Sequence, residues 1–89
     1  MKMKVRNLES SRGNTVPNQF VIRTEDGRFF QSYDSIICFI PYDGKVLLDA
    51  KTWNYSRTTS KYRSQFLGEG TKETEKKIED GTYILTNLN

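Results

Sequence analysis

Between Lys51 and Leu67 the sequence carries four cations, Lys51, Arg57, Lys61 and Arg63, and no acid. Hydroxyls at Ser56, Thr58, Thr59 and Ser60 and rings at Trp53, Tyr55 and Tyr62 are interleaved with them. A helix is predicted to begin at Thr58 or Thr59, either of which can cap its free N–H groups. The unpaired N–H groups and partial positive charge of a helix start attract anions. In that arrangement Lys61 and Arg63 pair with a phosphate, Arg57 adds a full charge to the site, and Thr58 and Thr59 hydrogen-bond it. Trp53, Tyr55 or Tyr62 stacks on an attached base, a contact worth roughly 1–3 kcal/mol. The expected ligand is a nucleotide or another phosphorylated small molecule. Plain structure accounts for parts of the same segment: Thr and Ser open many helices, and Trp53 and Tyr62 suit a core. No Gly-rich phosphate loop is present.

Other chemistry is largely excluded by composition. The chain has no His, which removes the usual general base near neutral pH and the commonest metal ligand. The lone Cys38 has no partner for an internal disulfide, and its apolar surroundings suit an inert core thiol. Asp43 belongs to a Tyr-Asp-Gly turn and Asp49 to a strand end. No catalytic residue, metal site or cofactor is expected, and the chain reads as a non-enzyme. The longest apolar run, Ile36 to Pro41, is too short to cross a bilayer. No apolar signal region follows the basic start at Met1 to Lys4. The expectation is a soluble, cytoplasmic protein with no membrane partner.

The elements that must position these residues fit one domain, since 89 residues leave little room for two. Residues 1–17 read as a flexible basic N-terminal arm, punctuated by Asn7, Gly13 and Pro17, with Val5 and Leu8 able to add a short edge strand. Residues 18–89 read as a single α+β domain with a small antiparallel sheet of about five strands. A four-stranded meander comes first. It runs through Gln19–Thr24, the turn Glu25-Asp26-Gly27, Arg28–Tyr33, the doubly apolar Ser35–Ile40, and Lys45–Asp49. The helix from Thr58 or Thr59 stops at Gly68. A second helix runs from its candidate cap Thr71 to about Asp80, and Tyr83–Leu88 closes the sheet. Charge is uneven along this order: +3 over 1–17, −2 over 18–50, +4 over 51–68 and −2 over 69–89. Residues 1–12 and 51–63 together therefore offer a second use, binding single-stranded nucleic acid.

Four stretches, Asn18–Thr24, Phe30–Ser35, Thr58–Gly68 and Gly81–Asn89, resemble a family of small uncharacterised domains found in bacteriophages and their low-GC hosts. Thr58-Thr59-x-Lys61-Tyr62 is the most distinctive part, and the resemblance covers residues 18–89. It implies no activity and no site residue. It does imply a context, a phage accessory protein acting by stoichiometric binding, such as an anti-defence sponge for a nucleotide immune signal. A protein-binding inhibitor of a host or defence enzyme fits the same context, and a homo-oligomer that builds its site between subunits is a further expectation.

Overall fold

The computed structural model of the chain describes residues 3–89. Its elements are β1 (Lys4–Glu9), β2 (Thr15–Arg23), β3 (Gly27–Ser32), β4 (Ser35–Pro41), β5 (Leu47–Asp49), α1 (Arg57–Leu67), α2 (Thr71–Glu79) and β6 (Ile84–Thr86). All six strands form one sheet in chain order, β1 to β6. The α+β class is as expected, but the sheet differs in two ways. It has six strands rather than about five, and it is mixed, because β6 pairs parallel to β5. Short hairpin turns force the antiparallel pairing of the first five strands. The long connection through α1 and α2 brings the chain back to the end where β5 began, so β6 runs alongside it in the same direction.

The extra strand comes from the segment expected to be an arm. Lys4 pairs with Arg23, Val5 with Ile22 and Arg6 with Val21, so residues 4–9 extend the sheet, and the expected boundary at 17/18 falls inside β2. Leu8 and Val16, buried at 7% and 8% exposure, hold this hairpin to the core. Gly13 takes a left-handed φ of 80° at its turn, where its lack of a Cβ is useful. Met1 and Lys2, the start of the expected arm, lie outside the described residues.

Both helices cover one face of the sheet. Phe30 stacks on Phe66 of α1 at 5.7 Å, and Trp53, Tyr62, Leu67 and Ile78 pack on the same core of Val21, Phe30, Ile37, Cys38 and Leu48. The apolar β4 run needs a bulge to serve this core. Phe30 pairs with Cys38 but Gln31 with Ile36, leaving Ile37 as the extra residue. Ile37 and Cys38 are both fully buried as a result.

α1 opens one residue before the expected start. Its cap is Ser56, whose Oγ accepts the Thr59 N–H at 3.1 Å, so neither Thr58 nor Thr59 caps it. Gly68 ends it at φ 74°, as expected. α2 is capped by Gly70, not Thr71, which is its first helical residue.

Candidate functional site

The eight residues expected to hold a phosphate divide into two groups. Arg63 is fully buried. Its Nη1 donates to the Trp53 carbonyl at 2.6 Å and the Asn54 Oδ1 at 3.3 Å, and its Nη2 donates to the Thr71 hydroxyl at 2.6 Å. The guanidinium also lies 5.1 Å from the Trp53 ring centroid. Arg63 thus ties the connection before α1 to the start of α2; its Nε has no partner, but full burial closes the group to an incoming ligand. Burial lowers its pKa, against which the nearby Cys38, Glu69 and Glu75 act. Thr59 is fully buried too, and its hydroxyl shares a 2.9 Å hydrogen bond with Ser32 Oγ on β3. Trp53 and Tyr62 are half-buried against the core. For Arg63 and Thr59 the assigned role is therefore corrected: a buried, bonded side chain cannot meet an incoming oxyanion.

Tyr55, Arg57, Thr58 and Lys61 remain exposed around the first turns of α1. Arg57 and Lys61 share one flank at i, i+4. The Lys61 ammonium sits 5.1 Å from the Tyr62 ring centroid. Tyr55, Arg57 and the hydroxyls of Ser56 and Ser60 border an open hollow of about 360 Å³. Ser56 and Ser60 are already engaged there, with Thr59 N–H and Asn54 Oδ1. What survives of the expected site is two cations and one ring on an open surface.

A second cationic group is assembled by strand pairing. Lys4, Arg23 and Arg28 stand directly opposite one another across β1, β2 and β3. Arg6 lies two residues from Lys4, opposite Val21, so all four project on the helix-covered side near one end of the sheet. The Arg28 guanidinium lies 5.5 Å from the Phe66 ring centroid of α1. Among the described residues the one ion pair joins Lys77 to Glu69, so none of these four is ion-paired. Like charges facing each other across strands oppose folding. Lys4, Arg6 and Arg23 border a hollow of about 340 Å³ floored by Val21. It adjoins one of about 240 Å³ where Lys4 and Arg23 meet Thr24, Glu25 and the exposed Tyr42.

Segment-by-segment charge counting hid this group. Lys4 and Arg6 fell in the arm, while Arg23 and Arg28 fell in a stretch whose net charge is −2. The signal was available: Lys4 and Arg6 alternate as on one strand face, and Arg23 and Arg28 flank the Glu25-Asp26-Gly27 turn so that a hairpin sets them opposite each other.

Of the remaining polar groups of the interior, Gln19 is 1% exposed with neither amide atom hydrogen-bonded, whereas Asp49 and Glu69 are held by their neighbours. Asp49 is 2% exposed; its Oδ2 accepts from Thr52 N–H, Thr52 hydroxyl and Lys51 N–H, and its Oδ1 from Leu88 N–H. Burial raises its pKa, but these hydrogen bonds outweigh that and hold it below the usual range. Glu69 accepts from Lys77, Tyr83 and Thr74 and is likewise held low against burial. The Cys38 thiol is buried and pushed up by desolvation. No group of three or more His, Cys, Asp or Glu suited to a metal occurs among the described residues.

A family model described as a family of unknown function (DUF8033) matches residues 3–81. That span takes in β1 and stops short of β6, whereas the resemblance noted from sequence began at residue 18. No curated protein and no solved structure matches the chain.

Proposed function

The chain belongs to the DUF8033 family of unknown function, and from that footing we propose that it is a non-catalytic binder of phosphate-bearing ligands, held on the cationic end of its sheet. The observation that carries this reading is the unpaired row Lys4–Arg23–Arg28 with Arg6 beside it. Folding alone gives no reason to oppose three cations, and phosphate oxygens relieve the repulsion. The two hollows are open and share Lys4 and Arg23, and Tyr42 beside the second offers a face for a base. Open, adjoining hollows favour an extended phosphodiester, such as a short single strand, over a mononucleotide enclosed on all sides. The sponge for a nucleotide immune signal, which the phage-like resemblance implies, uses the same phosphate chemistry and is the second arm of the test.

Fluorescence anisotropy with labelled single strands, and calorimetry with cyclic and linear nucleotides, decide between them. Single strands are expected to bind with strong salt dependence. Arg23→Ala and Lys4→Ala should each flatten the salt slope by about 0.7, one phosphate contact apiece. Arg57→Ala on α1 should leave the slope unchanged. Tight binding of a nucleotide in preference to a strand would establish the sponge. Silence from every strand and nucleotide, or loss of binding on Arg57→Ala alone, overturns the cationic end as the site.

A further inference from the structure

The sheet face turned away from the helices is apolar and uncovered. Directly paired residues carry one row across all six strands: Val5, Ile22, Phe29, Phe39, Leu47 and Ile84. Val5 at one end is 57% exposed and Ile84 at the other 39%, with the four between them half-buried. None of the six belongs to the core or packs against it. Phe29 and Phe39 stack on each other at 4.2 Å in the middle of the row. A second row beside it pairs Asn7 with Phe20, Phe20 with Gln31 and Gln31 with Ile36. An antiparallel sheet packed on one side alternates apolar and polar residues, whereas strands apolar on both faces are normally covered on both.

We infer that this face packs against the same face of a second copy of the chain, sheet on sheet. Neither row contains a charged residue, so a two-fold pairing brings no like charges together. A charged partner would find no counter-charge in these rows. The first row crosses all six strands, which at the usual strand spacing of about 4.8 Å makes it roughly 24 Å long. Paired sheets stack about 10 Å apart with their strands within about 30°. That spacing makes the Phe29–Phe39 stack the buried centre of the contact, where aromatic anchors contribute most. The helices stay outside it, and the cationic end touches it only at Val5, which also borders the hollow beside Lys4 and Arg6.

Sedimentation velocity on the intact chain across micromolar concentrations tests the pairing. The expected species has twice the 10.4 kDa chain mass. The double variant Leu47→Lys/Ile84→Lys puts charge on the row at β5 and β6, across the sheet from Lys4 and Arg6, so its circular dichroism should match the parent while its mass is halved. A parent chain that stays monomeric throughout leaves the face to a different protein and overturns the inference. A folded double variant that remains dimeric overturns it equally.

Discussion

Arg63 shows how misleading residue type is without position. In sequence it is one cation in an acid-free run; in the fold its planar fork bridges Trp53, Asn54 and Thr71. Arg63→Ala removes these bonds and leaves a void, and is expected to cost about 2–4 kcal/mol in chemical denaturation. Ligand affinity of the folded fraction should not change. Arg63→Lys should recover only part of the loss, because a point charge cannot serve both sides of the fork. Acid sensitivity belongs to this scale too. Asp49 and Glu69 have folded pKa values below their unfolded ones. Their stabilisation is therefore complete above about pH 5 and is lost as the pH falls through the unfolded values, near 3.9 and 4.3, toward the lower folded ones. Unfolding free energy measured from pH 6 to 2 should drop over that window. Asp49→Asn should flatten the drop while lowering stability at pH 7 by about 1–3 kcal/mol.

At the scale of elements the turns and the α1 stop were the legible part, while both helix caps were misplaced. The Glu25-Asp26-Gly27 turn, the β4 run and the Gly68 stop all stand where local chemistry put them. Gly27 is required for a further reason: a Cβ there would lie 2.3 Å from the Ile40 carbonyl oxygen and 2.8 Å from the Phe39 ring. Gly27→Ala is expected to destabilise by about 2–4 kcal/mol in thermal or urea melts, since crowding and a strained φ each cost roughly 1–3. Ser56→Ala should cost about 1 kcal/mol by loss of the α1 cap. β1 was legible only as an edge strand that Val5 and Leu8 could add to an otherwise flexible arm, and the direction of β6 was not legible, because both depend on partners far along the chain. Lys4-Val5-Arg6 is fixed as a strand by Arg23, Ile22 and Val21 beside it. The candidate site was obscured for the same reason: register opposes Lys4, Arg23 and Arg28, and a local charge count does not contain register.

For the molecule as a whole, one face of the sheet is buried under helices and the other is not. Charge gathers at one end of the covered side, and two uncharged rows cross the bare one. Sheet-on-sheet pairing therefore leaves each copy's cationic end pointing outward, away from its twin. A dimer of this design should bind two single strands, and the stoichiometry in calorimetry should be one strand per chain in both the parent and the Leu47→Lys/Ile84→Lys monomer. The order of the strands has a consequence for how the protein is made. Every strand up to β5 joins the one synthesised just before it, so a nascent chain leaving the ribosome meets a ready edge at each step. Only β6 waits for a distant segment, with both helices between it and its partner, so closing the long loop from Asp49 to Ile84 is the slow, late event of biogenesis.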